Sequence, residues 1–367
     1  MYESCDACLR RALLVAFLAP RIAGLLGTGD RRANGLLGLP EHDLIAAVAG
    51  RRVDEAVAFL DSLDVRSEHL RLTEGGVHVL CAHSPRYPPL LHDLSDPPAV
   101  LFGAGRGEAL AIVAEEPAVT VVGTRRASPY GTEVAYALGR GLGASGVPVV
   151  SGLALGIDGT AHRGCLDGGG VPVAVVASGP DVVYPRRHRS LYERVRDAGI
   201  VLSELPPGTE PYRWSFPARN RIMAGLARMT LVVEAADPSG SLITAEFAKD
   251  IGRCVAAVPG RVTSTVARGT NNLLKDGATP IGGTEDILDE LFGVGVRPPA
   301  EARPEAREPS SPMLREVLEA ADTHDSVEAV AAATGRDIAE TRAALGRLEA
   351  DGHLVRRDLG GWERAAH

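Results

Sequence analysis

Between residues 98 and 292, short β-branched runs alternate with amphipathic ones, and few folds accommodate that pattern. Strands are expected at 119–122, 147–150, 171–176, 200–203, 230–234, 255–258 and 279–281. Helices are expected between them, near 129–144, 157–167, 188–198, 218–227, 242–251 and 271–275. The runs are almost unbroken by polar residues, as in parallel strands covered on both faces. Such alternation predicts an α/β fold: a Rossmann-like, doubly wound, mainly parallel sheet. In sheets of this kind the ligand crevice lies outside the carboxyl ends of the strands.

Small and polar residues collect at those ends. Gly123, Thr124, Arg125 and Arg126 follow the first strand, Ser151-Gly152 ends the second, and Ser178-Gly179 follows the third. Each alone reads as an ordinary strand-to-helix turn. Converging on one rim, they make a groove lined with N–H donors, hydroxyls and arginines.

The stretch from Phe216 to Ala245 carries the strongest part of that rim. A helix bearing Arg219, Asn220 and Arg221 leads into an apolar strand, and Asp237-Pro238-Ser239-Gly240-Ser241 then opens a second helix. A small-residue turn at a helix N-terminus is a phosphate-binding arrangement, because peptide N–H groups and the helix dipole both favour an anion there. From Pro211 to Arg228 the chain has Arg213, Arg219, Arg221 and Arg228 and no acid, although its formal net charge is −8. A locally positive stretch in an acidic chain suits a polyanion. The alternative is a solvated helix face whose arginines pair with acids elsewhere. Arg219 and Arg221 point roughly 200° apart on a helix. One is therefore expected to reach the ligand and the other to pair with an acid such as Glu234 or Asp237. Tyr212, Trp214 and Phe216 interleave with the cluster in a chain only 4% aromatic. They read as stacking surface for bases or as core anchors of the helix.

Other motifs exclude more than they assign. Gly141, Gly143 and Gly146 match G-x-G-x-x-G but precede a strand, where a dinucleotide fingerprint must follow one; they read as helix-terminating glycines. There is no Walker A sequence, G-x-S-x-G elbow or H-E-x-x-H. Cys5 and Cys8 together with Cys81 and His83 have the side chains of a zinc site. The two pairs lie far apart in the chain, and the plain alternative is two exposed thiols in a frayed terminus and one buried cysteine. No metal and no cofactor are expected. No apolar run approaches the ~20 residues of a membrane span. Five cysteines, an odd number, fit a reducing compartment, so a cytoplasmic location is expected.

The expected organisation is a helical domain at 1–95, the sheet domain at 96–293, a Pro/Ala/Glu/Arg linker at 294–312 and a winged helix at 313–367. In the winged helix, Asp337 caps the position of the recognition helix, and a wing turns around Leu359-Gly360. Arg342 and Arg347 stand against Glu340 and Glu349, a balance that argues against tight duplex binding by this part alone.

The blocks VVGTRRASPYG, SGLALGIDGTAHRG, VLSELPPGTEPYRWSFPARNRIMAGL, LVVEAADPSGSLITAEFA, AVPG and GTNNLLKDGA resemble, in order, those of the DNA-processing protein A family (DprA, also called Smf). The resemblance covers about residues 85 to 291. It implies a cytoplasmic single-stranded-DNA-binding protein that protects incoming DNA and helps load RecA recombinase in natural transformation. It also implies a homodimer through the Rossmann-like domain and no catalytic turnover. By position, the family's DNA groove would use Arg125, Arg213, Phe216, Arg219, Asn220, Arg221 and the Ser239-Gly240-Ser241 turn, with Gly123, Thr124 and Gly152 beside them. Two positions depart from the family: Leu155 stands where arginine is frequent, and Arg213 where lysine is common. The sheet is also similar to the lysine-decarboxylase-like nucleotide hydrolases, which would make Glu246 a candidate acid for N-glycosidic cleavage. Their PGG-x-GT pattern is missing. A third reading makes the winged helix the main DNA reader and the sheet domain a nucleotide sensor.

Overall fold

The computed structural model describes residues 2–26, 32–296, 311–321, 323–324, 326–350, 354–356 and 361–364. They form two compact units, Met1–Ala302 and Arg303–His367. The first is built on one ten-stranded sheet. Its strands are β1 (Tyr2–Glu3), β2 (His78–Cys81), β3 (Val100–Gly105), β4 (Val119–Val122), β5 (Val149–Ser151), β6 (Pro172–Val175), β7 (Ile200–Ser203), β8 (Met229–Val232), β9 (Cys254–Ala257) and β10 (Thr279–Pro280). Their spatial order is β1-β2-β3-β7-β6-β5-β4-β8-β9-β10. All neighbours are parallel except β3, which runs antiparallel to both β2 and β7.

Alternate residues of the central strands supply two cores. Val119 and Val121 of β4 pack with Leu138, Ile157, Leu231 and Ile287 on one face. Val122 packs with Val150, Val173, Ile222, Met223 and Val232 on the other. Helices Pro129–Ala144, Ile157–Asp167 and Thr284–Phe292 thus cover the first face, and Ser215–Leu226 and Gly240–Asp250 the second. Burial on both faces is what made these strands read as continuous apolar runs.

Of the three glycines in the rejected dinucleotide pattern, Gly146 ends the helix as expected, at a φ of 70° just past the Ser145 cap, while the other two have a different task. Gly141 and Gly143 lie inside helix Pro129–Ala144, which packs closely on Ile157–Asp167. A Cβ on Gly143 would stand 2.6 Å from the Cys165 carbonyl oxygen, so the approach requires glycine there.

The N-terminal region is not helical throughout and does not separate near residue 95. Helices Asp6–Leu25, Arg32–Leu37, Glu41–Ala49, Val53–Ser62 and Val65–Glu74 are present, but β1 and β2 extend the main sheet beyond β3. The helices also pack on the sheet domain through Trp214. Its ring is buried with Leu14, Leu18 and Ile22, and its Nε1–H donates to the Ala19 carbonyl at 3.1 Å. Among the described residues no helix is long and apolar enough to cross a membrane.

In the second unit, helices Pro312–Ala321, Val327–Thr334 and Ile338–Ala350 are followed by an antiparallel pair, β11 (Leu354–Arg356) and β12 (Trp362–Arg364). Val317, Val330, Leu348, Leu354 and Trp362 form its core. Gly335 ends the second helix at a φ of 64°, and the Asp337 carboxylate accepts from the Ala339 N–H at 2.7 Å. Residues 297–310 of the expected linker and the expected wing tip at Leu359-Gly360 lie outside the described residues.

Candidate nucleic-acid interface

The strand order reverses at β4. From it the chain proceeds outward through β5, β6 and β7, then returns to place β8 on the other flank of β4. Loops leaving β4 and β8 at their carboxyl ends therefore diverge and leave a crevice between them. A cleft of about 740 Å³ opens there. Gly123, Thr124 and Arg125 line it from the β4 side, and Ser239, Gly240, Ser241 and Thr244 from the β8 side. Helix Ser215–Leu226 and the segment before it add Arg213, Phe216, Arg219 and Asn220.

Three sets of hydrogen bonds hold this rim. The Glu234 carboxylate, just past β8, accepts from the Ser128 N–H at 2.9 Å and its hydroxyl at 2.6 Å. The Glu234 carbonyl takes the Thr124 N–H at 2.7 Å, so the loop after β4 is tied to β8. The Asn220 amide donates to the Gly240 carbonyl at 3.2 Å, which joins the arginine helix to the Ser-Gly-Ser turn. Ser239 caps helix Gly240–Asp250, its hydroxyl 2.9 Å from that of Ser241. Thr244, one turn further, lines the cleft with a buried hydroxyl that has no hydrogen-bond partner among the described residues. A capped N-terminus with hydroxyls around it is an anion site by charge and by donor geometry.

The arginines occupy two levels. At the rim, Arg125 is exposed and lies over the Phe216 ring at 5.1 Å, and Arg213 is also exposed. Deeper, Arg219 is 7% exposed. Its Nη1 donates to the Val175 carbonyl and its Nε to Asn220 Oδ1 at 3.1 Å. A Cβ on Gly152 would stand 2.0 Å from that Nη1, so glycine is what lets the guanidinium lie across the end of β5. Burial pulls Arg219 down to about 10; the charge of Arg125 adds to this and Asp158 opposes it. Asp158, buried beneath the cleft, is itself pushed up by burial. The charge of Arg219 and the N–H of Gly123 hold it back. The site thus has a surplus of positive charge, from Arg125, Arg213 and Arg219, that the buried carboxyls of Asp158 and Glu234 offset only in part.

Several expected residues fall elsewhere. Arg221 does not line the cleft: it is 1% exposed and points to the opposite side of its helix. Its Nε donates to Asp96 Oδ2 at 3.0 Å, and its two Nη atoms to the Glu204 carboxylate at 3.0 and 2.7 Å. Its partners are therefore not Glu234, which holds Ser128, nor Asp237, which accepts from Asn272 at 3.0 Å. Trp214 is a core anchor rather than a stacking surface, and Tyr212 packs beside it with ring centroids 6.4 Å apart. Gly152 and Leu155 line a narrower recess next to the cleft. Glu246 lies in a separate depression with Lys249 and Asn272.

Tyr184 is the aromatic cleft residue that sequence reasoning missed, along with Asp158 and Thr244. It is exposed, lines the cleft, and sits 5.6 Å from Phe216 in a tilted ring pair. It opens the run Tyr184-Pro185-Arg186-Arg187-His188-Arg189, an aromatic followed by cations, which was the signal available.

Fold and cleft together define a Rossmann-like protein with an arginine-lined crevice at its strand-order reversal. The chain belongs to the DNA recombination-mediator protein A family, whose model matches residues 78–292. It is 42% identical over 248 residues to a putative DNA processing protein DprA of Mycobacterium tuberculosis, a match covering 67% of this chain and 64% of that protein. It is 36% identical over 284 residues to the protein Smf of Escherichia coli, covering 76% and 75%. Among solved structures, that of DprA from Streptococcus pneumoniae superposes with a TM-score of 0.62 at 31% identity, covering 79% of this chain and 99% of that one. A DNA processing protein A from Helicobacter pylori, described for its single-stranded DNA binding mode, superposes with a TM-score of 0.51 at 30% identity, covering 56% and 92%.

Proposed function

We propose that the chain binds single-stranded DNA along the cleft between β4 and β8. In this role it protects incoming DNA and helps load RecA recombinase during natural transformation or recombination. The observation that carries the reading is the pairing of an exposed arginine on an aromatic, Arg125 over Phe216, with a capped helix N-terminus across the same cleft. Phosphates then meet Arg125, Arg213 and the Ser239–Ser241 turn, while bases stack on Phe216 and Tyr184. Stacking with a positive track needs no particular base sequence. The named activity of the Helicobacter pylori relative supports the same ligand class.

In this reading the chain is cytoplasmic, acts without turnover and works as a homodimer through its Rossmann-like unit. The C-terminal helices and hairpin form a winged helix that contacts protein rather than duplex DNA. Binding by fluorescence anisotropy, with single-stranded and duplex oligonucleotides across a salt series, tests it. Single-strand preference is expected, with log K falling against log salt by about 0.7 for each phosphate neutralised. Duplex preference would overturn the reading. So would loss of single-strand binding when residues 294–367 are deleted, because the winged helix would then be the reader. Release of free base from nucleoside monophosphates would show turnover.

A further inference from the structure

The two sequence pairs that lie far apart in the chain meet in space. β1 and β2 are parallel and in register, Tyr2 opposite Val79 and Glu3 opposite Leu80, so their carboxyl ends lie side by side. The chain leaves β1 through Cys5, which precedes helix Asp6–Leu25, and Cys8 sits in that helix's first turn. Cys81 ends β2, and His83 follows two residues later. The three Sγ atoms and the His83 Nδ1 all lie within 4.8 Å of one another. Nδ1 is 3.6 Å from Cys5 Sγ and 3.2 Å from Cys8 Sγ. None of the cysteines is in a disulfide.

We propose that Cys5, Cys8, Cys81 and His83 bind one structural zinc ion, which clamps the first helix to the outer edge of the sheet. Zinc takes sulfur at about 2.3 Å and nitrogen at about 2.0–2.1 Å in a tetrahedron, which sets ligand atoms roughly 3.5 to 3.8 Å apart. The two Nδ1–Sγ distances are near that size and no ligand atom is more than 4.8 Å from another, and the set contains four donors of the soft and borderline kind that zinc selects. A spacing of two residues between cysteines at a strand-to-helix turn, facing a Cys-x-His pair, supplies the ligands from two rigid elements. Three sulfurs and one nitrogen complete the coordination and leave no open position, so the role is structural rather than catalytic. Cys8 and Cys81 are buried and Cys5 and His83 exposed, which places the ion at the surface with its inner half closed off. The consequence reaches inward: helix Asp6–Leu25 accepts the Trp214 hydrogen bond, and Trp214 precedes Phe216 of the cleft by two residues.

The test is elemental analysis of the purified full chain after desalting, with zinc released by a mercurial and counted against protein. About one zinc ion per chain is expected. Cys5→Ser and His83→Gln alter exposed ligands, so they are expected to fold and still to lose most of the zinc, while Cys254→Ser keeps it. Cobalt added to the metal-free chain should give the visible bands of a tetrahedral thiolate site, and Cys5→Ser should abolish them. Zinc-free protein with no cobalt spectrum would overturn the proposal. A disulfide among Cys5, Cys8 and Cys81 in the protein as isolated would also do so, as would an iron centre in place of zinc.

Discussion

Helix Ser215–Leu226 holds two arginines, two positions apart, in opposite electrostatic situations. Both are buried, at 7% exposure for Arg219 and 1% for Arg221, so burial does not separate them. Carboxylates do. Arg221 faces Asp96 and Glu204 and gives all three of its nitrogens to acceptors. Burial works to lower it, and the two acids overcome this, so its guanidinium is held above the ordinary value. Arg219 has a carbonyl and an amide oxygen for partners and is pulled down to about 10. Two faces of one helix thus divide the labour: one arginine is spent on internal pairing, and the other keeps charge at the floor of the cleft.

The largest expected effect follows from the paired side. Arg221→Ala leaves Glu204 and Asp96 without their cation and should cost about 3–5 kcal/mol, read by urea denaturation. Arg219→Gln should cost less than half of that and instead weaken binding of single-stranded DNA. Equal stability losses in the two variants would erase the distinction.

The next effect concerns His162, in helix Ile157–Asp167 beneath the cleft. Burial pulls it down to about 3 from an ordinary value of 6.5. The unfolded chain therefore takes up this proton first as pH falls, and stability declines below pH 6.5 toward pH 3. One proton corresponds to about 1.4 kcal/mol per pH unit, or roughly 2 kcal/mol lost by pH 5. Thermal melts of His162→Leu should lack this component of the acid slope; an unchanged slope would place its source elsewhere.

The smallest effect is a gain. Leu155 lines the recess beside Arg219 and Phe216. Leu155→Arg adds one cation to the track and should tighten single-strand binding severalfold, with a salt slope steeper by about 0.7. An unchanged slope would mean that the DNA does not pass this recess.

The sheet was legible in the sequence wherever both of its faces are covered. The runs at β4 to β9 are almost unbroken by polar residues, and the order of small residues at their ends located the cleft. β1, β2 and β3 were not legible. β1 has only two residues, too few for any periodicity, while β2 and β3 flank the proline-rich stretch from Pro85 to Pro98, which read as a connecting segment. At the site, residue type identified Arg125, Arg213, Phe216 and the Ser239–Ser241 turn as cleft residues. It did not assign Arg219 and Arg221. Helical spacing shows that they diverge, but which one meets acids depends on Asp96 and Glu204, both remote in sequence. Tyr184 was hidden for the same reason, since its relation to Phe216 arises only when the loop after β6 folds over the arginine helix. The four zinc-type ligands were visible as residues, while their meeting depends on the unread pairing of β1 with β2.

The most direct test of the cleft assignment is the double variant Arg125→Ala, Arg213→Ala, compared with the unaltered chain across a salt series. Both side chains are exposed, so stability should hardly change. If each makes one charge-assisted phosphate contact, of about 1.5–3 kcal/mol, single-strand affinity at low salt should fall roughly a hundredfold or more. The salt slope should flatten by about 1.4, two phosphates' worth. Undiminished affinity with an unchanged slope would contradict the account, because DNA would then bind somewhere other than this cleft.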